Sequence, residues 1–241
     1  MSTPEQETAP TSNCFSHIFN LFHFKSSSKP EEEVKKTNSS EVVEAPKVLP
    51  FDGKKIVFVL GGPGSGKGTQ CDRIVEKFNF YHISVGDLLR NAVEEGSEIG
   101  EEIVAIMKEG KMVPMYVTKK LLLAAMEKAD DNVPGFLIDG FPRQMDQAEE
   151  FERDIGHCTF VLFFDCPHDV LTKRLLKRGE TSGRADDNEE TIKKRINTFV
   201  EASMPVVEHY AKDNRVRKIN GDASIEDVTE STLKAFEVDE S

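Results

Sequence analysis

The sequence is short of cysteine, of positive charge and of long apolar runs. Four cysteines, Cys14, Cys71, Cys158 and Cys166, are scattered over 241 residues. They are too few and too dispersed for a disulfide scaffold. Nor do His157, Cys158, Cys166 and His168 make a zinc site. Thr159–Asp165 reads as a strand, and at about 3.3 Å per residue it sets the two cysteines roughly 25 Å apart. Buried reduced thiols of a cytosolic protein are expected instead. No stretch approaches the ~20 apolar residues of a membrane span. Lys and Arg number 31 against 43 Asp and Glu, a net charge of -12. That argues against binding nucleic acid or an anionic membrane through net charge, though not against a local basic cleft. There is no internal repeat.

Arginine is missing altogether from residues 1–50, which are rich in Ser, Thr, Pro and Glu. We read residues 1–52 as a disordered tail and 53–238 as one domain. Glu5 and Glu7 stand where a secretory signal carries positive charge, and the missing arginine argues against a mitochondrial presequence. A cytoplasmic location is expected, with a nuclear pool allowed. One apolar patch, Phe15–Phe24, interrupts the tail. If helical, it puts Phe15, Ile18, Phe19 and Phe22 on one face. It reads either as a docking helix beside an acylated Cys14 or as a sticky patch without a role.

From Lys55 onward strands and helices alternate. Ile56–Leu60 is a continuous apolar run, as in a strand buried on both faces. Further strands are expected at Tyr81–Ile83, Phe136–Ile138, Phe160–Phe164 and Val216–Ile219. Helices are expected at Lys67–Phe78, Gly86–Lys108, Tyr116–Lys128, Gln144–Asp154, Val170–Lys177, Glu189–Tyr210 and Ile225–Phe236. Arg178–Asp187, polar and Gly-containing, reads as a loop. The alternation predicts an α/β fold with a parallel sheet.

Gly61-Gly62-Pro63-Gly64-Ser65-Gly66-Lys67 follows the first strand and opens a helix. It matches a Gly-rich phosphate loop up to its lysine. Converging backbone N–H groups and a helix N-terminus favour phosphate oxygens there, and side chains would block the approach. Lys67 supplies a mobile charge. Gly68 stands where a magnesium-binding hydroxyl usually follows the lysine, and Thr69 comes next. The metal is therefore expected to rest mostly on phosphates and waters. Asp139, at a strand end, is a candidate for orienting a Mg²⁺-bound water, or simply a turn residue.

Several arginines lie near glycines or at element ends: Arg90, Arg143, Arg174, Arg178, Arg184 and Arg195. Singly, each reads as a solvated charge. Beside a phosphate loop they read as a set, because phosphoryl transfer between two anions needs charge neutralisation and alignment. Arginine grips phosphate bidentately.

Taken in order, these motifs resemble the short-form nucleoside monophosphate kinases, which include adenylate kinases and UMP/CMP kinases. The resemblance runs from about Lys55 to Phe236. It rests on Gly61–Gln70, His82–Arg90, Lys111-Met112-Val113-Pro114, Phe136–Arg143 and Arg178–Asp187. It implies a P-loop kinase fold with a five-stranded parallel sheet and two mobile subdomains. These are a monophosphate-binding one at about 84–113 and a short lid at about 178–187. It implies ATP-dependent phosphotransfer and a monomer, with Lys67 and the six arginines binding phosphates and stabilising the transition state. ATP would bind at Gly64, Ser65, Gly66, Lys67, Gly68, Thr69, Arg178 and Ala223. The monophosphate would bind at Val85, Arg90, Lys111, Met112, Val113, Gly140, Phe141, Pro142, Arg143, Gln147, Arg184 and Arg195. Mg²⁺ would arrive with ATP. The lid lacks cysteines, so a zinc-bearing lid is excluded.

The acceptor base is less plain. Val85 stands where adenylate kinases place Thr and UMP/CMP kinases Ala. A lost hydroxyl is worth about 1 kcal/mol of hydrogen bonding to adenine. Gln147 pulls towards adenine. The segments Arg143–Ala148, Phe151–Ile155, Val161–Pro167 and Ser203–Glu208 are similar to those of fungal-type uridylate kinases. The expected acceptors are therefore UMP and CMP, with AMP secondary. Adenylate kinase is the alternative, and a catalytically weak nucleotide-binding module acting through its tail a further one.

Overall fold

The computed structural model describes residues 49–109, 111–184 and 186–237. The tail, with Cys14 and the Phe15–Phe24 patch, lies outside the described residues. Five strands form one parallel sheet: β1 (Lys55–Gly61), β2 (Tyr81–Ser84), β3 (Gly135–Asp139), β4 (Phe160–Asp165) and β5 (Val216–Asn220), in the order β2-β3-β1-β4-β5. Both faces of the sheet are covered, which explains the unbroken apolar run of β1. Ile56 and Phe58 face a core with Ile138, Phe151, Val161 and Tyr210. Val57 and Val59 face a second core with Ile74, Leu137, Leu162 and Phe236. The two-residue side-chain period thus serves two cores at once.

Helices connect the strands. α1 (Lys67–Phe78) follows β1, and α2 (Val85–Glu94), α3 (Glu98–Lys108) and α4 (Met115–Met126) follow β2. α5 (Met145–Asp154) follows β3, and α6 (His168–Ser182), α7 (Glu189–Thr198) and α8 (Met204–Lys212) follow β4. α9 (Ile225–Glu237) follows β5.

The structure refines one expectation and corrects two. Gly86–Lys108 is mostly helical as expected, in two helices divided at Gly96, whose φ of +63 suits glycine. Ser97 then caps α3, its hydroxyl accepting from Gly100 N–H at 3.1 Å. The long helix expected over Glu189–Tyr210 contains a π-helical turn at Phe199–Ser203. Pro205, just inside α8, has no N–H to donate and crowds the preceding turn, and the wider turn absorbs the mismatch. The loop expected over Arg178–Asp187 is helical as far as Ser182. α6 ends at Gly183, whose φ is +65.

The connection from β1 crosses β3 to reach β2, and the connection from β3 crosses β1 to reach β4. The chain therefore reverses direction between β1 and β3. Crevices at such a point, outside the carboxyl ends of the strands, are where parallel α/β sheets hold ligands. Val59 pairs with Asp139 in register, so the phosphate loop leaves the sheet beside that carboxylate.

Candidate active site

The loop from Gly61 to Gly66 wraps over the N-terminus of α1. Gly64 and Gly66 sit at φ +84 and +91, in the left-handed region. A Cβ on Gly64 would also stand 2.9 Å from Leu175. The lysine folds back on its own loop: Lys67 Nζ donates to the carbonyls of Gly61 at 2.9 Å and Gly62 at 3.0 Å.

Lys67, Arg90, Arg143, Arg174, Arg178, Arg184 and Arg195 all line one cleft of about 400 Å³, together with Gly64, Gly66, Gly68, Thr69, Asp139 and Gly140. The fold brings together Lys67 and all six arginines named from the sequence. So many positive charges in one cleft oppose one another. Burial lowers the Lys67 pKa, and Arg143 and Arg195 lower it further against the pull of Asp139. Arg143 is lowered by burial and by Arg195. Arg184 is lowered by burial and then by Arg90 and Arg178. A cleft of crowded, desolvated cations has the electrostatics of a polyphosphate site.

Acids and backbone carbonyls hold the cations in place. Asp187, its side chain 0% exposed, accepts from Arg178 Nε and Nη2, both at 2.7 Å, and from Arg195 Nη1 at 3.1 Å. Asp186 pairs with Arg195 at 2.9 Å. Asp87 pairs with Arg90, and with Arg184 at 3.4 Å. Arg143 Nε donates to Gly140 O at 2.8 Å, and Arg174 Nη1 to Gly221 O at 2.9 Å. The π-helical turn contributes as well, since Ser203 Oγ donates to the Arg143 carbonyl at 2.9 Å. These partners were missed in the sequence. The Asp186-Asp187 pair beside Gly183-Arg184 was the available signal.

Two pockets extend the cleft. One of about 200 Å³ is lined by Gly64, Ser65, Gly66, Thr69, Arg174, Ala223, Ile225 and Val228. It gathers Gly64, Ser65, Gly66, Thr69 and Ala223 of the residues expected for ATP and adds Ile225 and Val228, while Lys67, Gly68 and Arg178 line the main cleft. The other, of about 20 Å³, is lined by Val85, Leu89, Met112, Val113, Thr118, Gly140, Phe141, Arg143 and Gln147. Pro142 lines a neighbouring hollow with Met112 and Arg143. Lys111 is the exception among the residues expected for the monophosphate. Its side chain is 71% exposed and pairs with Glu109.

Gln147 is buried, and its Oε1 accepts from the Arg143 backbone N–H at 2.9 Å. A backbone N–H can only donate, so the amide orientation follows from chemistry, and Nε2 is left as the free donor. Asp139 Oδ1 is buried without a hydrogen-bond partner beside the phosphate loop. An acceptor so placed fits a water carried by a nucleotide-bound Mg²⁺.

A phosphate loop at a strand switch point, facing six arginines and two flanking pockets, defines a phosphotransferase for nucleotides. The sequence matches the adenylate kinase family over residues 59–215, and the chain belongs to that family. It is an ATP-dependent nucleoside monophosphate kinase. Its relatives carry different acceptor names. It is 54% identical to the UMP-CMP kinase of Lentinula edodes, over 77% of this chain and 87% of that one. It is 53% identical to the uridylate kinase of Saccharomyces cerevisiae, over 77% of this chain and 92% of that one. It is also 53% identical to adenylate kinase isoenzyme 1 of Sus scrofa, over 72% of this chain and 90% of that one.

Proposed function

We propose that the enzyme transfers the γ-phosphoryl group of Mg-ATP reversibly to UMP or CMP, with AMP as a secondary acceptor, in pyrimidine nucleotide biosynthesis. One observation carries this reading. Acceptors for an exocyclic amine are scarce in this pocket. Val85 has no hydroxyl, and one of the two lone pairs of Gln147 Oε1 is already taken by Arg143 N–H. Adenine N6 is a donor and would have to share that oxygen with Arg143, whereas uracil O4 meets the Gln147 amino group as an acceptor. A poorly met donor in a buried pocket costs more than a hydrogen bond gains. Cytosine shares adenine's amine, so UMP ranks first. The small apolar pocket walled by Leu89, Met112 and Phe141 suits a single ring better than a purine. The names of the Lentinula and Saccharomyces relatives support the same acceptors.

In this reading Gly64–Thr69, Arg174, Arg178 and Ala223 bind ATP. Val85, Met112, Val113, Gly140, Phe141, Pro142 and Gln147 form the acceptor end, with Lys111 at its rim. Lys67, Arg90, Arg143, Arg184 and Arg195 hold both phosphates in line and neutralise the transferring group. Mg²⁺ arriving with ATP would supply further charge neutralisation, and Asp139 is the residue that would hold its waters. Residues 84–113 and 178–187 close over both substrates and exclude water, which protects ATP from hydrolysis. The active species is a monomer. The adenylate kinase reading draws on the Sus scrofa relative. Phosphoryl transfer from Mg-ATP to UMP, CMP, AMP and GMP, each over a concentration series, separates the two. Highest kcat/KM for UMP supports the proposal, and highest kcat/KM for AMP overturns it.

A further inference from the structure

Beneath the phosphate loop lies a group of three side chains of which phosphoryl transfer, as proposed above, uses Asp139 alone. Cys71 comes from α1, His82 from β2 and Asp139 from the end of β3. One ligand atom of each, Sγ, an imidazole nitrogen and a carboxylate oxygen, lies within 4.8 Å of the other two. His82 Nε2 stands 3.8 Å from Asp139 Oδ2. Two of the polar atoms in this group, His82 Nε2 and Asp139 Oδ1, are buried with no hydrogen-bond partner. Buried polar atoms are normally paired; a Mg-ATP water accounts for Asp139 Oδ1 when nucleotide is bound, but His82 Nε2 beside it still lacks an occupant.

The donor set says what would fit. Sulfur, nitrogen and oxygen together suit a borderline-soft cation of the Zn²⁺ class, whereas Mg²⁺ requires oxygens. Tetrahedral Zn²⁺ bonds of about 2.0–2.3 Å hold donors roughly 3.3–3.8 Å apart, so the side chains close by about 1 Å on binding. An outer partner is within reach too. His82 Nδ1 stands 4.0 Å from the exposed Asp72 carboxylate, which would have to close to hydrogen-bond distance to orient a ligating imidazole. His82 and Asp139 line the phosphate cleft, so the fourth position opens towards substrate.

We propose that Cys71, His82 and Asp139 form a binding site for a single Zn²⁺-class cation, and that its occupancy inhibits the kinase. As the Zn–S bond forms, the Cys71 thiol gives its proton to solvent, so one proton is released per ion bound. The bound cation takes Asp139 from the Mg-ATP water and sets a dication against Lys67, whose positive charge Asp139 otherwise offsets. This site shares no residue with His157, Cys158, Cys166 or His168.

The test uses the full chain without nucleotide. Co²⁺ is titrated first, because a thiolate ligand produces a near-ultraviolet charge-transfer band and needs no variant. Zn²⁺ is then titrated against a chromophoric chelator, with Cys71→Ala and Asp72→Asn in parallel. Inhibition is measured with Mg-ATP in large excess over zinc. We expect one Co²⁺ per chain with the thiolate band. Cys71→Ala should keep its Mg-dependent turnover and lose both band and zinc inhibition. Asp72→Asn should bind about tenfold more weakly. A wild-type protein that shows no thiolate band overturns the site. So does a Cys71→Ala protein that zinc inhibits as strongly as wild type.

Discussion

Replacing Asp187 by Asn keeps the shape of the side chain and removes the charge that pins two arginines in the cleft. In the wild type that carboxylate takes two hydrogen bonds from Arg178 and one from Arg195. Breaking a buried pair from one side costs about 3–5 kcal/mol. Here Arg178 and Arg195 remain 33% and 21% exposed, so water recovers part of that. The expected loss is about 2–3 kcal/mol, or roughly 4–12 °C in Tm for a chain of this size. The pH dependence has a definite sign. Burial raises the Asp187 pKa, but the Arg178 hydrogen bonds and the charges of Arg178 and Arg195 outweigh it and hold the carboxyl below its ordinary value. A depressed folded pKa stabilises above the unfolded value of about 3.9, and the contribution disappears as pH falls through the folded value. Melting curves of the two ligand-free proteins should therefore differ by a constant gap between about pH 5 and 8, closing at more acid pH. Turnover should fall about 100-fold, because the two arginines lose their alignment. A gap below about 1 °C at neutral pH would refute the anchoring argument, and so would one that persists through acid pH.

Other outcomes follow from the same geometry. Lys67→Met should cut kcat by about 10³ or more while leaving the ligand-free melting temperature equal or higher, since a desolvated charge is removed. Equal turnover would remove Lys67 from the mechanism. Val85→Thr restores a hydroxyl in the base pocket and should shift the AMP-to-UMP ratio of kcat/KM towards AMP by about fivefold, the worth of one hydrogen bond. Gly100→Ala places a Cβ 2.0 Å from Ala92 O and wedges α3 from α2. It should raise KM for the monophosphate and leave KM for ATP unchanged, as steady-state kinetics with each substrate varied would show.

Much of this was legible from local pattern. The apolar run at Ile56–Leu60 and the glycines before Lys67 place strand, loop and helix with little help from the rest of the chain. α1 begins and ends where its pattern predicts, at Lys67 and Phe78. The misread elements depend on contacts distant in sequence. Gly179 and its polar neighbours resemble a loop. Yet Gly179 is where the returning chain presses close, since a Cβ there would stand 2.6 Å from Asp187 O. The helix continues because Asp187 reaches back to Arg178 and to Ser182 Oγ. The roles of Asp87 and Asp187 as holders of arginines were invisible for the same reason. An acid in a sequence does not announce its partner. Gln147 lines a pocket with Val85, but the bond from Arg143 N–H that occupies one lone pair of its oxygen has no signature in the local sequence.

The central claim is that the acceptor is a pyrimidine nucleotide, and a competition tests it most directly. Equal concentrations of UMP and AMP are supplied with limiting Mg-ATP in one vessel, and the early loss of each is followed by ion-exchange chromatography. The ratio of losses is the ratio of kcat/KM values. Faster consumption of UMP is the predicted result. Faster consumption of AMP would contradict the account and make this chain an adenylate kinase.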